Sequence, residues 1–289
     1  MRILILGGDG MLGHRLLRQL APRHETRVTL RQPLDSYRPL GLFDSGNAYD
    51  GVDVLDLSRV IEVFSSFAPQ AVINTVGIVK QRPEARNGVL SVEVNGLFPH
   101  LLARLCRERG AQLIHLSTDC VFSGKKGNYV ESDRPDPEDI YDFSKLLGET
   151  GSPGSLTLRT SMIGLELQRK TSLVEWFLAQ KKKSINGWKN AIFSGFTTAE
   201  MSRLIEMLVT KHPNAHGLYH ASSAPISKFD LLSGLEARLG TGTTIVPDEA
   251  FKCDRSLDSS RFRAAFGYAP PGWDAMLDEL ATDILKGPC

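Results

Sequence analysis

The chain has 289 residues, with 34 Lys or Arg against 33 Asp or Glu and a formal net charge of +1. That balance excludes bulk attraction to nucleic acid or to an anionic membrane, while leaving room for a local basic pocket. With 42% hydrophobic residues the chain can bury a sizeable core, as one large α/β domain or one domain with a smaller lobe. The four cysteines, Cys106, Cys120, Cys253 and Cys289, form no C-x-x-C pair. A chain of this size needs no disulfide staples, so reduced thiols in a cytoplasm are expected. The apolar run before the first glycines is too short for a signal-peptide core or a membrane span, and no later run reaches membrane length.

In chain order, Ile3 to Leu6 reads as a buried parallel strand. A glycine cluster follows, then "MLGHRLLRQLA" with apolar residues at helical spacing. "TRVTL" is a second strand and "GVDVLDL" a third, followed by the helix "SRVIEVFSSF", capped by Ser58. "AVINTVG" is a fourth strand. "VLSVEVNGLFPHLLARLCRERG" is a long helix closed by Gly110. "QLIHLST" is a fifth strand, "DIYDFSKLLGE" a helix and "LTLRTSMIG" a further strand. This alternation predicts an α/β doubly wound parallel sheet. Beyond about residue 165 come the helices "KTSLVEWFLAQKKK", "TTAEMSRLIEMLVTKH" (opened by Thr197 or Thr198), "ISKFDLLSGLEARLG" and "GWDAMLDELATDILK". They predict a smaller, mostly helical substrate lobe over 166–289, partly interleaved with a dinucleotide-binding domain over 1–165.

The first turn reads Gly7-Gly8-Asp9-Gly10-Met11-Leu12-Gly13, a G-x-x-G-x-x-G spacing directly between a strand and a helix. Glycines there let the backbone turn tightly and approach a pyrophosphate resting on the helix N-terminus. At the end of the second strand, a carboxylate would bind the ribose of NAD and an arginine would suit the 2′-phosphate of NADP. The chain has Arg31 and no acid there, which favours NADPH, with NADH as the other candidate. Asp53 and Val54 are placed to flank the adenine. Asn74, Thr75, Val76 and Gly77, after the fourth strand, are placed to run under the cofactor.

Tyr141 and Lys145 stand one helical turn apart, after a strand that ends in Ser117 and Thr118. A free phenol titrates near pH 10 and is a poor acid or base at neutrality. A neighbouring ammonium favours the phenolate and lowers that value. A tuned phenol can protonate a carbonyl oxygen as hydride arrives, while the Thr118 hydroxyl holds the same oxygen. Lys145 can also reach the nicotinamide ribose.

The stretches "GGDGMLG", "STDCVFSGKKGNYVESD", "YDFSKLLGE" and "LRTSMIG" resemble the extended short-chain dehydrogenase/reductases. Within them they are most similar to the dTDP-4-dehydrorhamnose reductases and relatives acting on nucleotide-activated deoxyketosugars. The resemblance is strongest from Met1 to Gly164, and "FSGFTTAE" and "DRSLDSSRF" only echo the substrate lobe. It implies a Rossmann domain for NAD(P)H and a C-terminal lobe that grips a nucleoside diphosphate sugar. It also implies Tyr141 as proton donor, Lys145 as its pKa partner and Thr118 as carbonyl-oxygen ligand. Asn95 falls where the superfamily often carries a structural or proton-relay asparagine, and Thr160, Ser161 and Ile163 are implied to line the nicotinamide.

Two positions depart from the pattern. Asp142 replaces the glycine that usually follows the tyrosine. Cys120 stands where rhamnose-type reductases tend to carry tyrosine. In the related GDP-fucose synthases a cysteine there works as an epimerising base with a histidine further on, but no histidine occurs here between His115 and His212. Reduction without epimerisation is therefore expected, with Cys120 a packing thiol against the substrate.

Lys80, Gln81 and Arg82 can touch the sugar or a phosphate, or form a solvated loop. Trp188 can stack on a base. Arg255 is a further diphosphate candidate, and Lys181 to Lys183 read as a wet helix end. No metal site is expected among the seven histidines. The sequence thus predicts a reductase of the C4 ketone of a nucleotide-activated 6-deoxy-4-ketosugar. Two readings stand beside it: an epimerase/reductase, and a catalytically silent dinucleotide-binding subunit. The expected partner is a small nucleotide sugar rather than a membrane or nucleic acid, and a homodimer is the oligomeric state to test.

Overall fold

The computed structural model describes residues 1–80 and 83–287. The strands are β1 (Arg2–Leu6), β2 (Glu25–Thr29), β3 (Ala48–Tyr49), β4 (Ala71–Asn74), β5 (Gln112–Thr118), β6 (Ser155–Thr160), β7 (Met162–Ile163), β8 (Ser184–Phe193), β9 (Phe196–Thr197), β10 (Gly217–His220), β11 (Ile226–Ser227) and β12 (Thr244–Asp254). The helices are α1 (Gly13–Leu20), α2 (Leu57–Phe67), α3 (Gly88–Ser91), α4 (Phe98–Glu108), α5 (Ile140–Leu147), α6 (Leu173–Leu178), α7 (Thr198–Lys211), α8 (Lys228–Leu239), α9 (Ser260–Phe266) and α10 (Trp273–Lys286).

Seven strands form one parallel sheet in the order β10-β6-β5-β4-β1-β2-β3. The chain order reverses between β1 and β4, and a crevice opens where their following loops part to opposite sides of the sheet. Alternate residues of β1 face opposite ways. Ile3 and Ile5 join Leu16 and Leu20 of α1 and Met201 and Leu208 of α7 in one core layer. Leu4 and Leu6 join Val60 and Phe64 of α2 and Leu102 and Cys106 of α4 in the other. A strand covered on both faces has no polar side to show, which is why it reads as an unbroken apolar run. Each fully buried Leu or Ile adds about 1.5–3 kcal/mol of favourable transfer free energy.

Five local expectations change. The third strand is Ala48–Tyr49, not the stretch beginning at Gly51. There the Asp53 carboxylate accepts from Leu55 N (3.0 Å) and that of Asp56 from Arg59 N (3.2 Å). These local bonds offer the backbone an alternative to a sheet ladder, and they make Asp56, not Ser58, the N-cap of α2. The long helix of the fourth crossover is continuous from Gly88 to Glu108, but its Val92–Leu97 segment widens to a π-helix. In the second half, β8 and β12 pair in a three-stranded sheet with β11, which no alternation of polar and apolar residues in β12 announces. The lysine run 181–183 lies beyond the end of α6 rather than in it.

Candidate active site

The glycine turn is dictated by space. Gly7 takes φ +87°, and its N–H donates to Thr29 Oγ1 at 3.2 Å. A Cβ on Gly13 would lie 2.0 Å from the Gly7 carbonyl oxygen, so only glycine lets α1 start this close to β1. Gly10 faces more open space: its Cβ would meet nothing but that same oxygen, at 3.2 Å. α1 begins at Gly13, and Leu12 before it provides no side-chain cap, so the helix start can receive a ligand's oxygens. Thr75 ties the two loops together, its hydroxyl donating to the carbonyls of Leu6 (2.7 Å) and Gly7 (3.1 Å).

A groove runs over this turn. Of the residues singled out in the sequence, Gly7, Asp9, Gly10, Arg31, Asp53, Val54, Thr75, Val76 and Gly77 line it. Met11 and Leu12 contribute backbone at the helix start, and the Leu12 side chain belongs to the core. Two asparagines turn out to be structural. Asn74 is 1% exposed, with its amide on Val76 N and the His115 ring. Asn95, in the π-helical segment, is equally enclosed: it accepts from Ile78 N (2.9 Å) and donates to Ile78 O (2.9 Å) and Ser144 Oγ (3.0 Å). It thus pins the loop after β4 to α5. Ile163 is buried among the apolar residues around α8 and α10. Thr160 is also buried, and Ser161 uses its carbonyl on Phe196 N. Sequence reasoning missed Thr29, Ile78 and Arg169 on the groove wall. No motif marks them; the fold brings them there.

At the carboxyl edge of β5, Thr118 opens a short 3-10 turn, its hydroxyl accepting from Cys120 N (3.1 Å). Register places Thr160 of β6 opposite it. The first turn of α5, capped by Asp139, carries Tyr141, and the Thr118 hydroxyl lies close enough to the phenol to lower its pKa. The net shift nevertheless goes the other way. Burial, and after it the Cys120 sulfur, hold the Tyr141 phenol well above its ordinary value. Lys145 is not a free ammonium aimed at the ring: its Nζ donates to the Leu116 carbonyl at 2.6 Å. Burial pulls Lys145 down to about 8, with Glu149 opposing. The expectation of a phenol acidified by Lys145 therefore does not hold for the protein alone.

A second cation occupies the other side. Lys80 Nζ lies 5.6 Å from the Tyr141 ring centroid and grips Asp139 (2.9 Å) and Asp142 (2.8 Å). Burial pulls its pKa down, but the two carboxylates outweigh that and raise it. Beyond the ring, Arg255 donates to Phe122 O (2.8 Å) and reaches Cys120 Sγ (3.6 Å). Burial, and then the neighbouring Asp119, push the Cys120 thiol up to about 12. Asp119, itself raised by burial, faces the cations of Arg255 and Lys228. Trp188 packs instead on Phe251, in the three-stranded sheet, with ring centroids 4.7 Å apart. Gln81 and Arg82 lie outside the described residues. Among the described residues, no three His, Cys, Asp or Glu side chains gather to hold a metal ion.

Together, the reversed strand order, the glycine turn beneath a groove and the Thr118–Tyr141–Lys145 cluster at the sheet's carboxyl edge define a Rossmann-type protein with a short-chain-reductase arrangement of hydroxyl, phenol and ammonium. The chain belongs to the RmlD substrate binding domain family, whose model matches residues 1–285. It is 26% identical to dTDP-4-dehydrorhamnose reductase of Aggregatibacter actinomycetemcomitans, over 96% of this chain and 98% of the relative. It is 29% identical to methionine adenosyltransferase 2 subunit beta of Danio rerio, over 58% of this chain and 50% of that one. Its fold superposes on the crystal structure of dTDP-4-dehydrorhamnose reductase from Bacillus anthracis in complex with NADP, with a TM-score of 0.78 at 21% identity over 99% of each chain.

Proposed function

We propose that the chain is an NAD(P)H-dependent reductase of the C4 ketone of a nucleotide-activated 6-deoxy-4-ketosugar. The observation that carries this reading is the placement of Tyr141 beside Thr118, at the edge of the sheet from which the glycine-lined groove also opens. The bound dinucleotide would supply hydride. Residues 1–165 would hold it: the Gly7–Gly13 turn and the start of α1 against the pyrophosphate, Arg31 against a 2′-phosphate, Asp53 and Val54 against the adenine. NADPH is the preferred donor for that reason, with NADH as the other candidate.

In this reading Thr118 positions the ketone oxygen by hydrogen bond, and Tyr141 delivers the proton to it. The raised pKa of the phenol keeps that proton in place at neutral pH. Lys145 holds the end of β5 through Leu116 O and would be the residue to hold the nicotinamide ribose. Residues 166–289 would form the substrate lobe, with Arg255 and Lys80 as cations for the sugar or its diphosphate. β10 completes the main sheet and α7 covers one face of it, which supports a second unit interleaved with the first. The thiol of Cys120, protonated at neutrality, supports reduction without epimerisation.

We also assign a homodimer and a cytoplasmic location. Exposed Leu97, Ile140, Phe143 and Leu147 give the segment before α4, together with α5, an apolar outer face, which supports a second copy packing there. Among the described residues no helix is long and apolar enough to cross a membrane. The test is NADPH oxidation with a panel of nucleotide-linked 4-ketosugars. Turnover abolished by Tyr141→Phe supports the reductase. Dinucleotide binding without turnover on any of them would instead point to a regulatory subunit.

A further inference from the structure

We infer that Arg169 is a pyrophosphate clamp of the dinucleotide groove, held ready by Asp9 until a cofactor replaces that carboxylate. The inference rests on the dinucleotide reading above and adds to it a residue from the other half of the chain. Arg169 lies between β7 and α6, far in sequence from the glycine turn, yet it lines the same groove as Gly7, Gly10 and Thr75. Its Nη2 stands 3.7 Å from Asp9 Oδ2, which also accepts from the Tyr37 hydroxyl at 3.3 Å.

Asp9 sits inside the glycine turn, between Gly8 and Gly10. An uncompensated carboxylate there would repel a bound pyrophosphate, since like charges a few ångströms apart repel at the dielectric of a protein surface. Arg169 compensates it. The pair is also loose: at 3.7 Å and with 38% of the Arg169 side chain exposed, it adds little to stability. The guanidinium can therefore leave Asp9 for a phosphate, whose oxygens match its planar fork better and carry more charge.

The segment around Arg169 is ordered by local hydrogen bonds. Glu166 accepts from Ser172 N (2.8 Å) and Thr171 N (2.6 Å), closing the segment into a loop. Lys170, the next residue, takes φ +55°, a left-handed conformation unfavourable for a non-glycine residue. Its ammonium offsets that by donating to Glu166 O and Glu175 Oε1, both at 2.8 Å.

The experiment is titration calorimetry of the full chain with NADPH, NADH and adenosine 2′-phosphate, which lacks the pyrophosphate, for wild type, Arg169→Gln, Arg169→Lys and Asp9→Asn. Thermal melts check that each variant is folded. Arg169→Gln should weaken NADPH and NADH alike, about tenfold, and leave adenosine 2′-phosphate within about twofold, with Arg169→Lys in between. Asp9→Asn, which removes the placeholder and its charge, should tighten both dinucleotides. Unchanged dinucleotide affinity in Arg169→Gln overturns the clamp, and so does a loss confined to NADPH, which would make Arg169 a 2′-phosphate ligand. Weaker binding in Asp9→Asn overturns the placeholder. Wild type binding neither dinucleotide would remove the cofactor reading itself, a failure distinct from these.

Discussion

Lys80 and Tyr141 face each other across the site, the ammonium 5.6 Å from the ring centroid. What holds the lysine there is Asp142, which is 0% exposed, together with the helix-capping carboxylate of Asp139. The aspartate that departs from the family pattern next to the tyrosine is thus the counter-charge of a second cation at the phenol. Lys80→Met leaves Asp142 buried and uncompensated, at a cost of about 3 kcal/mol. The double variant Lys80→Met/Asp142→Asn should recover most of that loss. Denaturant unfolding of the single and double variants measures both, and equal stability of Lys80→Met and wild type would refute the coupling.

Tyr141→Phe removes the transferable proton and leaves the groove intact. Turnover should fall about 100- to 10,000-fold, the range general acid–base groups contribute. NADPH affinity should stay within about twofold. Steady-state kinetics with calorimetry separates the two, and a variant that lost both together would place Tyr141 in binding rather than proton transfer.

Lys145 gives the pH dependence its sign. Burial brings it down to about 8, so in the free protein its charge is complete below that pH and is lost as pH rises through it. Because kcat/KM reports groups of the free enzyme, it should decline above about pH 8. Lys145→Arg keeps the charge and should abolish that limb, whatever it does to the maximal rate.

Cys120 is held as a thiol, its pKa pushed up to about 12. It should react slowly with iodoacetamide at pH 7.5, and Cys120→Ser should keep reductase turnover within a few-fold. Deuterium incorporation from solvent into the sugar carbons flanking the ketone, lost in Cys120→Ser, would contradict this and restore an epimerising role.

Gly13 and Gly10 of the turn should separate cleanly. Gly13→Ala forces a methyl to 2.0 Å from a backbone oxygen and should cost at least about 2 kcal/mol of stability. Gly10→Ala, at 3.2 Å, should fold with a nearly unchanged melting point and lose dinucleotide affinity instead. Melting curves alongside NADPH titrations tell them apart.

The sequence by itself determined whatever depends on neighbours a few residues away. The unbroken apolar run of Ile3 to Leu6 announced a strand covered on both faces, the glycine spacing announced a tight turn between strand and helix, and one helical turn put Tyr141 and Lys145 on a common element. Only the tertiary structure decided how charges from distant segments meet. Lys145 bonds to the Leu116 carbonyl rather than standing free beside the phenol, and Asn95 spends its amide on Ile78 and Ser144. Lys80 finds its counter-ions in α5, and Arg169 crosses from the second half of the chain to Asp9. Burial and pairing energies are set by what lies within a few ångströms in space, and spacing along the chain does not carry that information.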